Sequence, residues 1–167
     1  MAATLIEEDG TGKTNSNTYI TLAEYNTYLD ERGLTDAGSD DAKTGRIIQA
    51  KDWLEAQAER YQGTKNSDAQ ALVWPRSWVE VYSYSITSTE IPQQLKDAQA
   101  QLTFDSSTVD IYNVNDGQAI VKEKVDVLEV QYSDNGVVNL QPIFAKVNAL
   151  LDPLFKTFGG TGSLIRI

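Results

Sequence analysis

The chain has 167 residues, of which 41% are apolar and 23% charged, with three tryptophans, no cysteine, no histidine and a formal net charge of −10. That supplies one modest core in one domain, and the missing residue types exclude disulfides, cysteine nucleophiles, Cys/His zinc sites and histidine general bases. A protein that grips nucleic-acid backbone ordinarily shows a basic face, whereas here 14 basic residues are scattered among 24 acidic ones. The acidic surplus suits either a surface that DNA slides past or ordinary solubility. No charged-then-apolar leader appears at Met1–Asp9, and no apolar run approaches the ~20 residues of a membrane span, so neither export nor membrane insertion is expected.

Along the chain, Gly10, Gly12, Asn15, Ser16 and Asn17 break any periodicity, and residues 1–20 read as an extended N-terminal arm. Thr21-Leu22-Ala23-Glu24 is a capping box. It predicts a short helix with Leu22, Tyr25, Tyr28 and Leu29 on one face and Gly33 in the left-handed position after its end. A second helix is expected from about Asp41 to Tyr61, striped by Ile47, Ala50, Leu54 and Ala58 with Trp53 and Tyr61 at the border, and stopped at Gly63. Thr64–Asp68 reads as a loop, and so, in the main, does Ser77–Thr89, although Val79–Tyr84 alternates locally. Ile91, Leu95, Ala98 and Leu102 mark a third helix from about Pro92 to Ser106. From Gln118 to Ser133 the pattern turns β, with a phase shift near Asp126-Val127 that fits a tight hairpin. The last helix is expected from about Pro142 to Phe155, tightened or ended by Pro153. The fold class is therefore mainly α: a small bundle of about four helices (residues 21–155), a β-hairpin before the last helix, and extended arms at 1–20 and 156–167.

No constellation of catalytic residues emerges. The carboxylate pairs Asp40/Asp41 and Glu7/Glu8 lack further ligands, and adjacent carboxylates point apart, so neither a metal nor a cofactor is expected. Gly10-Thr11-Gly12-Lys13-Thr14 resembles the tail of a phosphate-binding loop, but Glu7 stands where the first glycine belongs and no helix start follows. Single-strand binding needs aromatics interleaved with cations; Trp74, Arg76, Trp78, Tyr82 and Tyr84 lie in one segment, with Arg76 the only nearby cation. On this reading Trp74, Pro75 and Arg76 anchor the loop to the core, Arg76 through an ion pair or backbone carbonyls. The apolar end Leu164, Ile165, Arg166 and Ile167, after a glycine-rich hinge, suggests docking onto another chain, and Leu5 and Ile6 at the extended start suggest a second such arm.

The order of a helix, Leu72-Val73-Trp74-Pro75-Arg76, a loop, then Ile91-Pro92 and a helix resembles a family of small tailed-phage proteins labelled DnaT-like single-stranded-DNA-binding. The opening Glu8-Asp9-Gly10-Thr11-Gly12 and the late Val147–Leu154 resemble it too. The resemblance implies a structural virion protein with no enzymatic activity. It would be a head-to-tail connector, a homo-oligomeric ring of about twelve copies, assembled in the host cytoplasm and docked beneath the portal. Its partners would be the portal, tail or neck proteins and itself, with packaged double-stranded DNA passing through without sequence-specific binding. The label itself implies the alternative, a single-stranded-DNA-binding replication accessory.

Overall fold

The computed structural model describes residues 3–111, 122–125, 128–131 and 144–156. Its elements run α1 (Leu22–Glu31), α2 (Asp40–Glu55), a 3₁₀ turn (Ala58–Arg60), β1 (Thr64–Lys65), β2 (Arg76–Ser77), β3 (Val79–Val81), β4 (Tyr84–Ile86), α3 (Gln93–Asp105), β5 (Lys122–Val125), β6 (Leu128–Gln131), α4 (Ala145–Leu151) and a 3₁₀ turn at Asp152–Leu154. The mainly α class holds, with four helices and a two-stranded antiparallel ribbon before the last. In that ribbon Val125 pairs with Leu128, which leaves a two-residue connection at the predicted phase shift.

Local chemistry sets the helix ends. At α1 the Thr21 hydroxyl accepts from Glu24 N–H and the Glu24 carboxylate accepts from Thr21 N–H, so two orphan donors are satisfied reciprocally. Its other end closes with Gly33 at φ 62°, Gly33 N–H on Asp30 O and Leu34 N–H on Leu29 O, the paired bonds of a Schellman motif. Ser39 caps α2, whose first turn carries Asp40 and Asp41, where the helix dipole favours negative charge. Helix α2 stops six residues before the predicted Tyr61. There the chain tightens into a 3₁₀ turn and Tyr61, fully buried rather than at a border, donates its hydroxyl to Leu54 O. Pro153 sits in the tightened turn that follows α4.

Helix α3 packs against α1, α2 and α4, and is buried almost continuously from Ala98 to Thr103. The main core gathers Leu54, Tyr61, Trp74, Leu95, Leu102, Val147, Leu151 and Leu154; a smaller one joins Ile20, Tyr25, Leu29 and Ile47. A polar junction crosses both. The fully buried Gln99 side chain accepts from Tyr19 N–H at 3.0 Å and donates to Thr18 Oγ1 and Ile47 O, each at 2.9 Å. At the other end of Tyr19, its hydroxyl donates to Glu55 and accepts from Trp74 N–H at 3.2 Å, while Glu55 also accepts from Val73 N–H at 2.9 Å.

Three expectations are corrected. Residues 5–20 lie on the domain: Ile6 and Asn17 exchange backbone and side-chain hydrogen bonds, and half-buried Leu5 packs on the smaller core. The segment is extended because it is glycine- and asparagine-rich, but its backbone groups find partners on their own chain. The loop expected at 77–89 is a hairpin in which Val79, Glu80 and Val81 pair with Ile86, Ser85 and Tyr84. Thr64 and Lys65, also expected in a loop, pair with Ser77 and Arg76.

Replacing Gln99 by Ala removes three buried hydrogen bonds and leaves the Tyr19 N–H without its partner, so the unfolding free energy should fall by about 3 kcal/mol, seen as a lower urea midpoint at unchanged slope. Burial raises the Glu55 carboxyl above its ordinary value of 4.5, against the downward pull of its hydrogen bonds from Tyr19 and Val73. The folded chain thus keeps a proton that the unfolded chain has already released, and that stabilisation disappears as pH rises from 4.5 through the raised value. The stability difference between wild type and E55Q, followed by urea denaturation, should therefore shift against the wild type across that window.

Candidate nucleic-acid interface

The segment from Tyr61 to Glu90 builds one aromatic ribbon on a rigid base. The base is the Trp74-Pro75-Arg76 run, with a cis Trp74–Pro75 bond and all three residues buried. Trp74 packs edge-on against Tyr61, ring centroids 5.6 Å apart. Arg76 donates through Nε to Gln62 O at 2.7 Å and through Nη2 to Gly63 O at 2.8 Å. Both carbonyls belong to the two residues that lead into β1, so the guanidinium is occupied holding backbone to backbone. Gly63, at φ 65°, is obligatory: a Cβ there would sit 2.0 Å from Ser77 O. Buried Gln70 completes the base, donating to Leu72 O and Pro75 O.

Beyond this base, Trp78 sits between β2 and β3 at φ 65°, a conformation that bulky residues rarely adopt. The kink transfers the chain from pairing with β1 to pairing with β4. Tyr82 and Ser83 form the two-residue turn, both with positive φ (52° and 68°), as a type I′ hairpin requires. Val79 and Val81 anchor the ribbon in the core, and Ile86 packs against it. The outer aromatics are left in solvent: Trp78 is 85% exposed, Tyr82 74% and Tyr84 78%. Asn66 steadies the return strand, donating to Ser88 O and accepting from Ser77 Oγ.

The charge around the ribbon is sparse. Glu80 and Glu90 are exposed on the acidic side; Lys65, exposed on β1, has no hydrogen-bond or ion-pair partner among the described residues. The other well-placed cations are engaged: Lys96 with Glu7 and Glu24, Arg46 with Asp36, Lys13 with Asp9, Arg32 with Asp97.

The loop that resembles a phosphate cradle is already filled. The buried Glu8 carboxylate accepts from Gly10, Gly12 and Lys13 N–H and from Ser16 Oγ, all within 3.0 Å. The chain's own anion takes the place a phosphate would need. Among the described residues no group of three or more acidic side chains is arranged to hold a metal. Leu164, Ile165, Arg166 and Ile167, expected to dock on a partner, lie outside the described residues. Leu5 and Ile6, expected to reach a neighbour, are half-buried on their own domain.

The aromatic segment singled out in the sequence thus divides in two. Trp74 and Arg76 face inward; Trp78, Tyr82 and Tyr84 face outward. The split follows from the kink at Trp78 and the hairpin beyond it; the short Val-Glu-Val alternation before Tyr82 signals the hairpin but not the kink.

A family model described as "Putative DnaT-like ssDNA binding protein" matches residues 3–167, nearly the whole chain, which therefore belongs to that family. No curated protein and no solved structure matches. The match overturns the connector reading: the family spanning this chain is described by single-stranded-DNA binding, with nothing in it of portal, neck or tail. The acidic surplus does not restore that reading, because ordinary solubility charge accounts for it equally.

Because Trp78 is strained and almost wholly solvated, W78G should raise the unfolding free energy by about 0.5–1 kcal/mol in thermal or urea denaturation. A loss larger than about 1 kcal/mol would instead make the indole part of the packing.

Proposed function

We propose that this DnaT-like protein binds single-stranded DNA by stacking bases on the exposed rings of Trp78, Tyr82 and Tyr84, and carries out no bond chemistry. The observation that carries the reading is the exposure of three aromatic rings on one core-anchored ribbon. Exposed aromatics on a rigid strand pair are the usual platform for unpaired bases, because every base offers a π-face whatever its identity. The family description supports the same ligand.

The reading separates two kinds of substitution. W74A empties the centre of the core and should cost about 3–5 kcal/mol of stability, so any binding it loses reports unfolding. W78G, Y82N and Y84T suit the local backbone, with glycine and asparagine at positive φ and threonine in a strand, and leave the domain folded. In fluorescence anisotropy with a labelled mixed-sequence oligonucleotide at low salt, each should weaken binding by about fivefold to a hundredfold. Binding should also quench tryptophan emission in the wild type and not in W78G. Absence of binding by the wild type at low salt would sink the proposal.

A further inference from the structure

We infer that the ribbon recognises the bases of single-stranded nucleic acid and is indifferent to the backbone that carries them, so that RNA and a neutral-backbone analogue bind as DNA does. The inference rests on the single-strand-binding reading and deepens it. Its ground is what surrounds the rings. Backbone recognition requires cations to neutralise phosphates, or donors aimed at sugar and phosphate oxygens. Among the described residues on the strands beside Trp78, Tyr82 and Tyr84, Lys65 is the one cation whose side chain makes no hydrogen bond or ion pair, because Arg76 is turned inward onto Gln62 O and Gly63 O. The exposed charges on the ribbon and its return loop, Glu80 and Glu90, are anionic. Across the whole chain the balance is −10. A phosphate approaching this surface gains one favourable contact and meets at least two unfavourable charges.

The rings suffer no such conflict. Stacking is favourable for any unpaired base and needs no counter-charge. Distinguishing ribose from deoxyribose requires a group that reads the 2′-hydroxyl at the bound nucleotide. On the ribbon itself the polar groups beside the rings are Glu80, Ser83 and Ser85; all three are exposed, and among the described residues no side-chain hydrogen bond holds any of them in a fixed orientation toward a sugar. Duplexes are excluded on two counts: their bases are already stacked, and their phosphate density is higher.

The test uses the full-length protein and oligomers of one sequence about ten bases long, made as DNA, RNA, peptide nucleic acid and duplex DNA, with affinity read by tryptophan quenching at two salt concentrations. The expected result is binding of all three single strands within about threefold of one another, or tighter for the neutral analogue, and no binding of the duplex. A fourfold rise in salt should weaken DNA and RNA by about threefold or less, the effect of one neutralised phosphate, and leave the neutral analogue unchanged. W78G, followed by fluorescence anisotropy of labelled strands because it lacks the quenching signal, should lower all three affinities in parallel. DNA binding with a steep salt dependence and no binding of the neutral analogue would overturn the inference while leaving single-strand binding intact. Failure of every oligomer to bind would overturn the single-strand-binding reading itself.

Discussion

Both ends of Tyr19 are hydrogen-bonded inside the protein, and the fold depends on that fact. Its backbone N–H belongs to Gln99 on α3; its hydroxyl bridges Glu55 at the end of α2 and the backbone of Trp74. Three segments far apart in sequence, the N-terminal strand-like stretch, the helical layer and the loop that carries the ribbon, are thus fixed by one fully buried residue. Burial makes the bonds costly to lose, because any one of them broken leaves a polar group with no water to replace its partner. It also fixes ionisation: burial and the neighbouring Glu55 push the Tyr19 phenol well above its usual range, so it remains a neutral donor.

That junction positions the candidate site. Glu55 holds Val73, Tyr19 holds Trp74, and Arg76 holds the Gln62–Gly63 bend before β1, so the residues leading into the ribbon are pinned one after another. The N-terminal loop braces the same region. Lys13 O accepts from Ala71 N–H, and Gly10 lies so close to Thr89 that a Cβ would fall 1.9 Å from its carbonyl oxygen. Glu8 organises that loop from inside. The ribbon is therefore short but not left to stand alone, as an isolated two-stranded hairpin in water would be.

What the sequence disclosed was local. The Thr21–Glu24 capping box, Gly33 after α1, and the Ile91–Leu102 stripe depend on neighbours three to eleven positions away, and each is visible as a pattern. The buried polar groups were not visible. Gln99 finds Thr18 across 81 positions and Ile47 across 52, and nothing in its immediate surroundings marks it as anything but a polar residue on a helix. The β3–β4 hairpin escaped for a different reason. Its strands are three residues long and its turn is Tyr82-Ser83, not the asparagine–glycine pair that ordinarily advertises a type I′ turn. The aromatic segment was recognised, but which rings face inward depends on the kink at Trp78, which has no sequence signature.

The choice of residues at positive φ sharpens the case for function. Among the described residues, Gly10, Gly12, Gly33 and Gly63 occupy such positions where only the backbone matters, closing a loop, a helix end or a tight approach. Trp78, Tyr82 and Ser83 are the exceptions, and all three lie on the ribbon. Glycine would relieve the strain at each, by about 1 kcal/mol or more. Neither Trp78 nor Tyr82 recovers that cost by burial, since both stand in water. A side chain that destabilises its own fold and packs against nothing within it is accounted for by something it meets outside. Here what stands in solvent is aromatic and has few cations beside it, which suits an unpaired base better than a phosphate backbone.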